Sequence, residues 1–196
     1  MASLIPAQLS AKWEVHEWRN ALAILNTVHP REWKDIVAVL SAFTLTKSAI
    51  AAPGGRKTSN IAGAIDQAFY DRGWEERNFE TAVVVDGVEH PSPTHKVDCF
   101  KGKVALEMEW NNKDPFFDRD LNNFRLLFEL RTVEVGVIVT RSDELQAIFD
   151  SLDKGKSYGA STTHMSKLLP KIEGGGGGGC PIVALGMTVR CYDSSR

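Results

Sequence analysis

Apolar positions follow helical spacing in the first third of the chain. Trp18, Leu22 and Leu25 form one stripe and Ile36, Leu40 and Phe43 a second, with Pro30 between them. The stretch Ala52-Pro53-Gly54-Gly55-Arg56-Lys57 reads as a loop by its Pro and Gly content. Ser59 then suits an N-cap, with Ile61, Ile65 and Phe69 on one helical face and Gly73 as C-cap. The middle changes period. Thr81 to Val85 is rich in β-branched residues, and Asp86-Gly87 is a hairpin turn before Val88. His95 to Phe100 and Lys103 to Trp110 are strand candidates around a Lys101-Gly102 turn. In the second of these, Val104, Leu106, Met108 and Trp110 face one way, and Ala105, Glu107 and Glu109 the other.

Helical spacing returns in Asp118 to Arg131, with Leu121, Phe124, Leu127 and Phe128 inward. Val133 to Val139 is a near-continuous apolar run, as in a strand buried on both faces. Ser142 suits an N-cap for a helix with Asp143 and Glu144 in its first turn. Asp153 to Thr163 reads as a polar loop, Met165 to Ile172 as a short helix, and Pro181 to Val189 as a last strand. Between them Gly174 to Gly179, six consecutive glycines, predict a flexible surface loop. Helices, hairpin, helix, strand, helix, strand is the order of an α/β sandwich around a mixed sheet. No linker divides the 196 residues, so one domain, 1–196, is expected.

Composition narrows the class. The chain is 43% hydrophobic and 24% charged, ordinary for a globular protein and wrong for a disordered one. It has no run of about 18 apolar residues to span a membrane. Residues 1–10 lack a basic, then long apolar, secretory pattern. Cys99, Cys180 and Cys191 are odd in number and lack paired short spacings, which argues against a disulfide framework and a structural zinc site. The net charge of −2 neither points to nucleic acid nor excludes it.

One constellation carries chemistry. Asp98 ends a short strand, and Glu107 and Glu109 share a face of the next, one tight turn away. Paired strands lie about 4.8 Å apart, so these carboxylates can converge. Three carboxylates cannot sit dry and unpartnered, because burial and like charge both oppose ionisation. A divalent cation that prefers oxygen relieves this, and magnesium suits carboxylates and phosphate together. The plain alternative is a hairpin with a solvated polar face. Against it, the opposite face is wholly apolar and the following helix is amphipathic, so the sheet is expected to be covered, with its acids at an edge or cleft.

Asp98, eight residues, then Glu107-Met108-Glu109 resembles the PD-(D/E)xK nuclease core, with glutamate where the usual lysine stands. That variant resembles the BamHI and BglII restriction endonucleases. Gly73-Trp74-Glu75-Glu76, Val97-Asp98, Lys103 to Trp110, Val135-Gly136-Val137 and Pro181 to Gly186 resemble the BglII/BstYI family in the same order. The resemblance implies a restriction-endonuclease-like three-layer α/β sandwich with a central mixed sheet flanked by helices. It implies that Asp98, Glu107 and the main-chain carbonyl of Met108 hold Mg2+, and that Glu109 orients or deprotonates the attacking water. It further implies a cytoplasmic bacterial or archaeal homodimer joined through helices, within residues 12–45 or 118–131. That dimer would cut double-stranded DNA at a six-base palindrome with a GATC core, leaving a 5′ overhang. A methyltransferase of the same site would be a functional partner, not a bound one. The family has another polar residue about three positions after the tryptophan; Arg77, between Glu76 and Asn78, stands there and leaves that role open.

Two segments are candidates for reading bases, since Asn bonds adenine edges, Lys guanine edges, and Ser or Thr either. The first is Asn111-Asn112-Lys113, whose plain alternative is a turn. The second is the loop holding Ser157, Tyr158, Ser161, Thr162 and Thr163, whose plain alternative is an N-cap by Ser161 or Thr162. Lys101, Lys103, Arg119, Lys154 and Lys156 are candidate phosphate contacts. Gly54 to Thr58 lacks the order and preceding strand of a phosphate loop, and His16 reads as a helix residue without a ligand role. Two other readings remain: a nuclease of this fold in repair or recombination, and a DNA-binding module without catalysis, which the intact acids disfavour.

Overall fold

The computed structural model describes residues 4–52, 60–92 and 94–195. The loop expected at 52–57, the glycine-rich stretch 54–58 and the Ser59 cap fall mainly or wholly outside the described residues. The helices are α1 (Ala7–Ser10), α2 (Ala21–Thr27), α3 (Pro30–Ala42), α4 (Lys47–Ala51), α5 (Ala62–Tyr70), α6 (Pro115–Glu129), α7 (Gln146–Ser151) and α8 (Met165–Glu173). The strands are β1 (Trp13–Trp18), β2 (Leu45–Thr46), β3 (Glu75–Arg77), β4 (Ala82–Val85), β5 (Val88–Pro91), β6 (Val97–Lys101), β7 (Val104–Met108), β8 (Val135–Arg141), β9 (Ile182–Met187) and β10 (Tyr192–Asp193).

Among the described residues a six-stranded sheet runs β1-β9-β8-β7-β6-β3. β7, β8 and β9 are parallel, with Met108 beside Val139 and Val139 beside Leu185. Parallel strands need cover on both faces, which is why β8 and β9 read as near-continuous apolar runs. On one face Leu106, Met108, Val137, Val139 and Leu185 pack against Leu22, Leu25, Trp33, Ile36, Leu40, Ile65 and Phe69 of α2, α3 and α5. On the other, Ala105, Ile138, Ile182 and Ala184 meet Phe117, Leu121, Phe124, Leu127, Leu168 and Ile172 of α6 and α8. The result is the three-layer α/β sandwich around a mixed sheet that the sequence implied.

Several local readings change. Residues 13–18, read as helical through Trp18 and His16, form edge strand β1, antiparallel to β9. An open sheet edge and inward-facing Trp13 outweigh the helical stripe. The hairpin β4–β5 forms as expected, with Asp86 and Gly87 both at positive φ, but it stands as its own two-stranded sheet. Helix α6 starts at Pro115, since proline at the first turn loses no helical hydrogen bond. Ser142 precedes a 3-10 turn, and its side chain makes no capping bond.

The glycine run is at the surface over Gly174 to Gly176, as expected, but its second half is a packed joint, with Gly177 buried. It continues α8 through turns and lies against α6. A Cβ at Gly177 would come 2.3 Å from Ile182 and one at Gly178 2.6 Å from Arg125, while Gly175 and Gly178 adopt positive φ. Gly136 plays the matching part on β8, where a Cβ would lie 2.4 Å from the Phe124 ring. Only a bare backbone lets α6 sit this close to the sheet.

Gly136→Ala is therefore expected to cost about 1–3 kcal/mol, the usual range for overpacking. Val84→Thr on the exposed hairpin should stay within about 0.5 kcal/mol. Urea unfolding monitored by tryptophan fluorescence measures both; an unchanged midpoint for Gly136→Ala would contradict the close seating of α6.

Candidate active site

The site forms where β6 and β7 part. Backbone pairing runs from Lys101 opposite Val104 to Cys99 opposite Leu106. One step further, Asp98 faces Glu107, and side chains take over from the ladder. The Met108 N–H donates to Asp98 Oδ2 at 3.0 Å, and the Asp98 N–H donates to Glu107 Oε2 at 3.3 Å. Tyr70 of α5 donates its hydroxyl to the Asp98 carbonyl at 3.1 Å. Beyond the strand end the Glu109 N–H still bonds Val139 O at 2.8 Å, so Glu109 keeps the strand's alternation and shares the face of Glu107.

That face lies beneath α6. Asp98 is 5% exposed and Glu107 and Glu109 are fully buried, which excludes the solvated-face alternative and also an open cleft. A fourth acid, Asp120 of α6, is fully buried beside them. Sequence reading passed over it. Its signal is an acid one residue before Leu121 and four before Phe124, inside the inward stripe of an amphipathic helix.

The electrostatics follow from four acids sharing one dry region. Burial, then the Asp98 and Asp120 charges, push the Glu107 carboxyl well above its ordinary range. Burial and Asp120 push Glu109 up to about 9 against the opposing pull of Asn112 and Arg119. Burial raises Asp120 to about 6 although Arg119 pulls it down. Arg119 reaches in: its Nη2 lies 3.1 Å from Glu109 Oε1 and 2.8 Å from Asp120 Oδ1. Glu107 Oε1 and Asp120 Oδ2 are buried without a hydrogen-bond partner. Orphaned carboxylate oxygens in a dry, acid-rich site fit a hard divalent cation, which takes oxygen donors. Among the described residues no three His, Cys, Asp or Glu side chains are already arranged to hold a metal. Two carboxylates and a carbonyl are enough for magnesium, which keeps several waters.

A family model described as restriction endonuclease BglII/BglIII matches residues 13–187, most of the chain. The chain belongs to the BglII restriction endonuclease family. Its reaction is thus type II site-specific cleavage of double-stranded DNA, and enzymes of this kind typically use a divalent metal. No curated protein matches the chain. Family membership agrees with the resemblance carried by Asp98, Glu107 and Glu109 and with the three-layer fold.

The two segments expected to read bases lie side by side at the end of β7. Lys113 and Thr162 form an isolated bridge, the Thr163 N–H bonds Asn112 O at 2.8 Å, and the Asp114 N–H bonds Ser161 O at 3.1 Å. Asn111, at positive φ, turns the chain, so the turn alternative also holds there. Lys113, Ser157 and Ser161 are exposed, and Asn111 and Asn112 half-buried. The other three side chains, Tyr158, Thr162 and Thr163, point inward. Tyr158 is stacked 4.0 Å from the Phe149 ring. Thr162 accepts from buried Arg141 at 3.2 Å, and Thr163 donates to Glu109 O at 3.2 Å. They brace the segment because a loop lying over the sheet must satisfy its buried polar groups. The position before α8 is His164, so neither Ser161 nor Thr162 caps that helix.

The candidate phosphate contacts divide. Lys101 pairs with Asp35 at 2.8 Å and Lys103 with Glu134 at 2.8 Å, at the opposite end of β6 and β7 from Glu109. Arg119 is engaged by the acids, while Lys156 is exposed and Lys154 half-buried. Arg77 lies on exposed β3, its guanidinium 4.9 Å from both the Phe79 and Phe100 rings and 3.5 Å from Glu75.

Glu107→Gln removes one charge from the crowded region. It is expected to raise the metal-free melting temperature by several degrees, since about 1 kcal/mol corresponds to roughly 2–4 °C at this size. The same change should shrink the rise in melting temperature produced by adding Mg2+. Thermal melts with and without the cation check both; a lower metal-free temperature together with an unchanged cation response would contradict the electrostatic account.

Proposed function

We propose that the chain, acting as one nuclease domain, hydrolyses DNA with Mg2+ held by Asp98, Glu107 and the Met108 carbonyl. The buried acid cluster with its orphaned oxygens, in a chain of this family, is the observation that carries the reading. Bound Mg2+ would neutralise phosphate charge and acidify a water molecule. Asp98 and Glu107 would fix that position from two strands of a packed sheet, so little reorganisation accompanies the reaction. Glu109 would orient the attacking water in line with the scissile phosphorus and accept its proton. The bond to the 3′ oxygen breaks, leaving 5′-phosphate and 3′-hydroxyl ends.

Reading of bases falls to exposed Lys113, Ser157 and Ser161 and half-buried Asn111 and Asn112 of the two stitched segments, with Tyr158, Thr162 and Thr163 as their support. A palindromic site matches a two-fold homodimer with one active site per strand. The family resemblance supports a six-base palindrome with a GATC core, cut after its first base to leave a 5′ overhang. It equally supports a bacterial or archaeal cytoplasmic setting with a methyltransferase of the same specificity. Among the described residues no helix is long and apolar enough to cross a membrane.

Digestion of unmethylated phage DNA tests the reading. Discrete bands are expected with Mg2+ and none with chelator, and sequencing of the ends gives site and stagger. A smear would replace site-specific cutting by non-specific cleavage. Asp98→Ala and Glu107→Ala should each lower cleavage by at least about a thousandfold with a native circular dichroism spectrum. Retained cutting by either purified variant would sink the assignment.

A further inference from the structure

Arg119 and Asp120 are adjacent on α6, and both reach Glu109's surroundings. The Arg119 Nε donates to Asp120 Oδ1 at 2.9 Å, and its Nη2 reaches the same oxygen at 2.8 Å and Glu109 Oε1 at 3.1 Å. The Phe116 ring lies 4.4 Å from the guanidinium and limits its swing. The second Glu109 oxygen accepts from Asn112 Nδ2 at 2.8 Å. Both oxygens of Glu109 are therefore held, one through α6 and one through the loop after β7. Asp120 cannot drift, because Phe117, Leu121 and Phe124 on either side of it are fully buried. A planar fork that bonds two carboxylates at once sets an orientation that a point charge does not.

We propose that Asp120, acting through Arg119, is a positioning residue for Glu109 in DNA cleavage. The proposal rests on the reading of Glu109 as the group that orients water. A simple stabilising ion pair would affect folding and leave the chemical step alone.

A double-mutant cycle separates the two. Single-turnover rate and KM on a cleavable duplex are measured with Mg2+ for wild type, Asp120→Asn, Glu109→Gln and the double variant. Asp120→Asn is expected to lower the rate about 10- to 100-fold with KM within about twofold, the size of a misplacement effect. In the Glu109→Gln background it should add less than about twofold, because the carboxylate that it positions is gone. The Mg2+-induced rise in melting temperature without DNA should match wild type. A full rate for Asp120→Asn, or equal losses in both backgrounds, would overturn the proposal. Loss of the Mg2+ response would overturn it too, by making Asp120 a ligand. Should Asp120→Asn fail to fold, Arg119→Met removes the same bridge and is judged by the same criteria, with Arg119→Lys restoring only part of the rate. A wild-type rate for Glu109→Gln would instead remove the reading beneath the proposal, a result distinct from every outcome at Asp120.

Discussion

Four carboxylates are buried together where α6 covers the sheet, two of them bridged by Arg119, and much of the architecture follows from keeping them there. Desolvation of a single unpartnered charge costs several kcal/mol, so such a cluster persists only where the surrounding fold has stability to spare. The spare stability is visible in the packing. Two apolar layers enclose the sheet, and Gly136, Gly177 and Gly178 let α6 lie close to β8 and to the turns after α8. The helix that covers the acids is thus closely seated, and Asp120 and Arg119 travel with it. Local electrostatic frustration offset by global packing is the usual signature of a site organised for chemistry.

The division of labour between strands and loops is equally physical. Asp98 and Glu107 project from paired strands, where the ladder fixes their spacing. Glu109 stands just beyond the strand end, held by one backbone bond to Val139 and by contacts from α6 and from Asn112. Side-chain partners restrain it where the ladder no longer does. Thr163 ties the Glu109 carbonyl to the loop that presents Ser157 and Ser161. Contact at the segments proposed to read bases would therefore lie only a few bonds from the residue proposed to orient water.

Much of this was legible in the sequence, for identifiable reasons. β7 was readable because alternation with a wholly apolar opposite face has a single structural meaning, and α6 because its stripe is long. The acids were readable because a strand–turn–strand spacing specifies which residues face each other. What was hidden depended on tertiary context. β1 looked helical because Trp18, Leu22 and Leu25 share a stripe, while its strand form exists only beside β9. The glycine run looked like a loose loop because composition says nothing of what lies against it. Tyr158, Thr162 and Thr163 looked like base readers because polarity and loop position do not reveal which way a side chain turns. Asp120 was missed because one acid in an apolar stripe reads as an irregularity until its neighbours are known.

The central claim is that the meeting point of Asp98, Glu107 and the Met108 carbonyl is a divalent-cation site. Anomalous diffraction from crystals grown with Mn2+ and a DNA duplex tests it most directly. The account predicts a strong anomalous peak bounded by those three residues in each copy of the chain, with Glu109 beside it. A peak elsewhere on the chain, or none at these residues with DNA bound, would contradict it.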